Sequence, residues 1–314
     1  MLKVSNSLND IAVLRGGSAH FKESLKEGGE VLTSLTKLGY HPLDVLIDKE
    51  GNWTTLGAPT DPHSIFTRAH TVIDVTRMRG QEYQKLAKRM HIPLLFSLGH
   101  EMTLDREDVY RLLRQRDIKV PNTQVIRASS PLKDEIFREI WLKYHTPLLV
   151  RPLRKNPKTP SRAVKMFSDF EQLVRDYHAK GVDVHVLTYK KLPTTSIAVL
   201  PNFRNEKVYT PLWVDSFTEG GDLPGESSIL RPHLQAPEFR KEHIKSIATK
   251  VYEALGVSTP LCIDFIHHNN EFIVVNIDLE PSLAKTSRFM QSLATTGVDV
   301  GHYVHACIAH DFER

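Results

Sequence analysis

Two hydrophobic rhythms alternate along the chain. "IAVLRGG" (11–17) is an unbroken apolar run closed by glycines, the pattern of a buried strand ending in a turn. In "ESLKEGGEVLTSLTKLGY" (23–40), Val31, Leu32, Leu35 and Leu38 recur at helical spacing and Gly39 stops the run, which predicts a helix. "HPLDVLID" (41–48) and "HTVIDVT" (70–76) predict two more strands, and "QEYQKLAKRM" (81–90) a helix feeding the short strand "IPLLFS" (92–97). Strands alternating with helices imply a parallel sheet covered by helices, so residues 1–97 form a Rossmann-like α/β domain.

A second unit spans 98–181. "TLDREDVYRLLRQRDIKVP" (103–121) predicts a helix capped by Asp105, with Glu107 and Asp108 at its positive end and Val109, Leu112 and Leu113 on its buried stripe. "TPLLVRPL" (146–153) is a strand, "RKNPKTPSR" (154–162) a loop and "SDFEQLVRDYHAKG" (168–181) a helix. A third unit spans 182–314. It opens with "VDVHVLTYKKL" and continues through strands "SIAVLPN" (196–202) and "VYTPLWV" (208–214) to a polar loop from Ser216 to Glu226. "FRKEHIKSIATKVYEALG" (239–256) is a helix, "LCIDFIHHNNEFIVVNID" (261–278) a β-hairpin and "GHYVHACIAHDF" (301–312) a closing helix.

Composition adds exclusions rather than a function. With 40% hydrophobic and 25% charged residues the chain is an ordinary globular sequence, and a formal charge of +4 is too mild for a nucleic-acid partner. Two cysteines, Cys262 and Cys307, can build neither a disulfide framework nor a zinc knuckle and suit the reducing cytoplasm. No apolar run reaches the length of a membrane span, and no signal peptide is expected.

Four stretches in order resemble the D-alanine–D-alanine ligase family of the ATP-grasp superfamily. They are "VLRGGSAHFKESL", "LDREDVYRLLRQRDIKVP", "PLLVRPLRKNPKTPSRAVK" and "YEALGVSTPLCIDF…VVNIDLEPSLA". The resemblance covers essentially the whole chain. It implies an N-terminal domain that holds a first D-alanine, followed by a two-lobed ATP-grasp fold that grips ATP between two sheets. The implied chemistry is ATP- and Mg²⁺-dependent carboxylate–amine ligation through an acyl phosphate, serving peptidoglycan synthesis. Such phosphoryl transfer relies on positioning and charge neutralisation.

Carried over by position, the family's two phosphate-facing lysines fall on Arg106 and Arg151. Its magnesium ligands fall on Asp264, Asn276 and Asp278, with Asn276 and Asp278 two apart and so on one strand face. Lys155, Lys158 and Arg162 can attract an anion or form a solvated basic loop, although that loop has no glycine and two prolines where the family has small residues. Tyr189 and Lys190 lie on the strand that should hold the adenine. The family's acidic residues there fall on Leu187 and Thr194. For the amino-acid substrate, the family's glutamate falls on His20 and a serine on Ser24. The turn residue falls on Ser282 and the carboxylate-holding serine on Lys285. The strand arginine that meets developing negative charge falls on Cys262. The pairs His267/His268 and His302/His305 read as surface or core histidines, and Cys262 as a buried thiol.

Two functions follow. One is a divergent carboxylate–amine ligase with an impaired site, taking ATP, Mg²⁺ and a small amino-acid-like substrate. The other is a pseudoenzyme that binds or regulates. Neither requires nucleic acid or membrane, and a homodimer is one assembly open to both.

Overall fold

The first sheet shows how the opening residues set up the site. This computed structural model describes residues 11–17, 20–78, 80–96, 104–144, 146–154, 159–188, 192–218, 228–232, 237–269 and 271–312. Its elements begin β1 (Ile11–Gly16), α1 (Phe21–Lys37), β2 (Leu43–Ile47), β3 (Trp53–Thr55), β4 (Ala58–Thr60), α2 (Pro62–Arg68), β5 (Thr71–Asp74), α3 (Glu82–Arg89) and β6 (Leu94–Leu95). The strands lie in the order β4-β3-β2-β1-β5-β6. β2, β1, β5 and β6 are parallel, as the alternating pattern implies, and β3 and β4 add an antiparallel ribbon at one edge. That ribbon was not anticipated, because three-residue strands are too short to display a period of two. Gly16 ends β1 at φ 95, where a Cβ would lie 2.1 Å from the Ile47 carbonyl oxygen, so only glycine lets β1 and β2 approach there.

The second sheet follows from α4 (Arg106–Arg114), β7 (Thr123–Ile126), α5 (Asp134–Lys143), β8 (Leu148–Pro152), β9 (Arg162–Val164), α6 (Phe167–Ala179) and β10 (Val184–Thr188). Its order is β7-β10-β8-β9, antiparallel throughout. α5 and α6 cover one face through Phe137, Ile140, Phe170 and Val174. The pattern of apolar runs starts a third unit at 182, yet β10 pairs between β7 and β8, so this strand belongs to the second sheet.

The third sheet is built from β11 (Thr194–Phe203), β12 (Glu206–Tyr209), β13 (Val214–Thr218), β14 (Ser228–Pro232), β15 (Leu261–His268) and β16 (Glu271–Asp278), with α7 (Glu238–Leu255), α8 (Arg288–Ala294) and α9 (Val300–Phe312). Its order is β14-β13-β11-β15-β16, and β12 pairs with β11. The strand expected over 208–214 divides in two, because Pro211 has no N–H to continue a ladder. Two packings tie the molecule together. α4 buries Val109, Tyr110 and Leu113 against α7, β15 and β16. α8 and α9 bury Phe289, Leu293, Tyr303 and Val304 against β1 and α1. Among the described residues no helix is long and apolar enough to cross a membrane.

Candidate functional site

Arg106 and Arg151 face one another's charge in a cavity of about 210 Å³ between the second and third sheets. Arg151 lies on β8, buried to 5% exposure, and Arg106 opens α4. Arg106 Nη1 donates to the Pro152 carbonyl at 2.9 Å. Neither guanidinium has a carboxylate at ion-pair distance among the described residues. Burial, and then the neighbouring Arg151 charge, push Arg106 down to about 10.

Neutral groups hold Arg151 in place. Its Nε donates to His185 Nδ1 at 3.2 Å and its Nη2 to the Tyr110 hydroxyl at 3.0 Å. Tyr110 in turn donates to the Val275 carbonyl at 2.6 Å. That carbonyl is accessible because β16 carries a bulge: Asn276 pairs with Asp264 and Val274 with Phe265, so Val275 has no partner across the ladder. His185 is fully buried; burial pushes it down to about 4, so the ring is neutral at pH 7. With Nδ1 accepting from Arg151, its proton sits on Nε2, 3.3 Å from Glu107 Oε2. Burial pushes Glu107 upward, but hydrogen bonds from His185, Thr123 and Arg114 outweigh it and hold the carboxyl at about 2.

Asp264 and Asn276 also line this cavity, together with Leu149, Leu187, Thr194 and Ile266. The Asp264 carboxylate is already engaged. Oδ1 accepts from the Ser196 hydroxyl at 2.7 Å, and Oδ2 accepts from Asn276 Nδ2 at 3.0 Å and from Arg288 Nη1 at 2.8 Å. Asp278, on the same strand face as Asn276, lines a second cavity instead. Mg²⁺ needs several oxygen donors arranged around one point. Asn276 turns its amide N–H₂ toward Asp264, and a guanidinium occupies the carboxylate oxygen beside it. The donor set as it stands does not fit a divalent ion. Among the described residues there is no group of three or more His, Cys, Asp or Glu placed to hold one.

The second cavity, about 550 Å³, opens between the start of α1 and the turn leading into α8. Lys26, Arg77 and Arg288 line it together with Glu23 and Asp278, and so do Cys262, Ser282 and Ser287. Of the four residues expected to hold substrate, Ser282 alone lines it. Ser24 is buried and accepts from the Gly16 N–H at 2.8 Å. His20 is the N-cap residue of α1, and Lys285 is exposed with its backbone N–H on Glu30. Ser287, two residues beyond Lys285, is the α8 N-cap and reaches the cavity. Cys262 is buried, and burial followed by the Asp264 charge pushes its thiol up, so it is not nucleophilic at neutral pH.

Several site residues were missed. Glu27, at 2% exposure, binds Arg77 Nη2 at 2.6 Å and accepts from Ser282 and the Leu283 N–H, fastening the turn to α1. Its position one helical turn before Val31 was the available signal. His185 and Tyr110 are apolar-pattern positions whose polar ends emerge only from the fold. Arg288 had no local signal. Lys155, Lys158, Tyr189, Lys190 and most of the loop after Thr218 lie outside the described residues. Arg162 starts β9 and is exposed. The histidine pairs serve structure: His305 Nδ1 meets the Tyr40 hydroxyl at 2.6 Å, His302 pairs with Asp299 and His267 stacks on Phe272.

The arrangement of a parallel-sheet domain ahead of two sheets that face each other across a cavity is that of a two-lobed ATP-grasp fold. Its sequence places it more narrowly: residues 112–309 match the family described as D-ala D-ala ligase C-terminus, and the chain belongs to that family. A D-alanine–D-alanine ligase from Francisella tularensis subsp. novicida is 23% identical over 304 residues, covering 95% of this chain and 97% of the relative. The D-alanine–D-alanine ligase of Coxiella burnetii superposes with a TM-score of 0.77 at 15% identity, covering 97% of this chain and 94% of that one. The Bacillus anthracis D-alanine–D-alanine ligase complexed with ATP gives 0.73 at 14% identity, covering 96% and 97%.

Proposed function

We propose that this protein binds ATP between its second and third sheets and uses it to activate a small amino-acid-like carboxylate for ligation, with a substrate site changed from that of its relatives. One observation carries the nucleotide reading. Arg151, buried, and Arg106, half-buried, are two like charges without an ion-paired carboxylate among the described residues, lining the cavity where an anion would neutralise both. Burying an unpaired cation such as Arg151 costs several kcal/mol, a cost that a polyphosphate ligand offsets. ATP would supply the phosphoryl group, and Arg106 and Arg151 would hold its phosphates. Leu149, Leu187 and Ile266 give an apolar wall suited to a base.

The second cavity supports a zwitterionic substrate, with Lys26, Arg77 and Arg288 for a carboxylate and Glu23 and Asp278 for an ammonium. A second reading, a non-catalytic binding protein, draws on Cys262: a neutral thiol stands where the family resemblance implies an arginine. We propose the ligase first, because the cation pair is intact. Calorimetry with ATP tests the nucleotide reading, and silence at millimolar nucleotide refutes it. ADP release measured with and without D-alanine separates the two functions. Stimulation supports a ligase, whereas ATP binding without turnover on any amino acid supports the binding protein.

A further inference from the structure

Resting on the nucleotide reading above, we propose that Arg288 is a resident cation of this site, standing on Asp264 where a divalent metal ion would bind, so that the protein takes its nucleotide without Mg²⁺. Arg288 begins α8 and lines both cavities. Its Nη1 donates to Asp264 Oδ2 at 2.8 Å, and its other nitrogens have no partner among the described residues. The Asp264 side chain is 4% exposed and that of Arg288 32%, so the carboxylate is sealed while the guanidinium still reaches the cavities.

Charge gives the reason. The charged residues lining the first cavity are Arg106, Arg151, Arg288 and Asp264, three cations against one carboxylate. A site dominated by carboxylates needs a metal ion before it can accept a polyphosphate. This one is already positive. A divalent ion on Asp264 would have to sit beside a guanidinium sharing the same oxygen, and like charges at that range repel strongly in a buried site. Arginine and Mg²⁺ clamp phosphoryl oxygens by the same electrostatic means, so the substitution is chemically sound. A purely structural salt bridge would stabilise α8 and leave metal dependence untouched.

The test is calorimetry of ATP with the full chain, in EDTA and in excess Mg²⁺, alongside Mn²⁺ titration of the nucleotide-free protein followed by electron paramagnetic resonance. Wild type is expected to bind ATP with less than about threefold difference between the two buffers and to bind no Mn²⁺. Arg288→Ala frees Asp264, so its ATP affinity becomes metal-dependent by about 5–150-fold, the usual range for two coupled ligands. Arg288→Lys keeps the charge and should behave as wild type. If Arg288→Ala does not fold, the wild-type and Arg288→Lys titrations decide. ATP binding that requires Mg²⁺, or Mn²⁺ binding by the nucleotide-free wild type, overturns this inference and leaves the nucleotide reading standing. Absence of ATP binding in both buffers overturns both.

Discussion

Mild acidification should weaken this protein in part through His185. The ring is fully buried and held at about 4, against an ordinary value near 6.5 in the unfolded chain. Between those two values the unfolded state carries the extra proton and the native state does not, so stability rises with pH across the window and is lost as pH falls through it. Above pH 6.5 both states are neutral and the contribution is complete. A displacement of that size at about 1.4 kcal/mol per unit amounts to roughly 3 kcal/mol lost by pH 4. Glu107 is held at about 2, below its usual 4.5, so its own contribution is present above 4.5 and is lost only as pH falls below that. Burial pushes Glu27 above its usual 4.5, so the range from 4.5 to 6.5 does not by itself single out His185, and a His185 variant is the comparison that does.

His185→Gln provides the comparison, since a glutamine can still accept from Arg151 and donate to Glu107 without titrating. Urea denaturation at half-unit steps should show the wild type losing about 2–3 kcal/mol more than the variant between pH 6.5 and 4.5. ATP affinity should fall in the same range, because a protonated ring can no longer accept from Arg151 Nε. Parallel stability curves for the two proteins would refute the reasoning, since they would mean that the ring charges as readily in the fold as outside it.

Three further outcomes follow from the geometry. Arg151→Met removes a buried cation along with three hydrogen bonds to neutral groups, so stability should change by less than about 2 kcal/mol in denaturant melts, while ATP affinity falls at least about 30-fold by calorimetry. Glu27→Ala leaves Arg77 without its carboxylate and releases the turn at Ser282 and Leu283, with an expected loss of about 3–5 kcal/mol by urea denaturation. Gly16→Ala drives a Cβ into the Ile47 carbonyl at φ 95 and should cost at least about 2 kcal/mol, read as a drop in melting temperature.

What could be read from the residues alone was what is local. Asp105 caps α4 by accepting from the Glu107 and Asp108 N–H groups, as a short polar residue before an apolar stripe suggests. The β15–β16 hairpin and the positions of Arg106, Arg151 and Asp264 on one cavity were legible because family motifs and strand alternation carry them. Contacts set by distant parts of the chain were not. Arg288 meets Asp264 across 24 positions, and the bulge that exposes the Val275 carbonyl leaves no mark in a pattern of apolar residues. His185 looked like one more residue of a buried strand, although it is the acceptor that orients Arg151. Ser24, His20 and Lys285, expected at the substrate from the family resemblance, do not line the second cavity, because side-chain direction there depends on where α1 and α8 start.

That difference between column and space bears on how far the site has changed. By column, the strand arginine of the family is lost to Cys262, which counts against catalysis. In space, Cys262 and Arg288 both line the second cavity, and Arg288 contacts Asp264, two residues from Cys262 on the same face of β15. A guanidinium therefore still stands beside this strand, supplied from α8 rather than from β15. In the first cavity the Asp264 carboxylate is already paired with Arg288, while Arg106 and Arg151 have no ion-paired carboxylate among the described residues. A site that had simply lost its function would have no reason to retain Arg106 and Arg151 at that electrostatic cost. The cations lining the first cavity thus favour an anion site over a collapsed one, and the metal dependence of that binding, rather than the number of changed positions, is the property to measure.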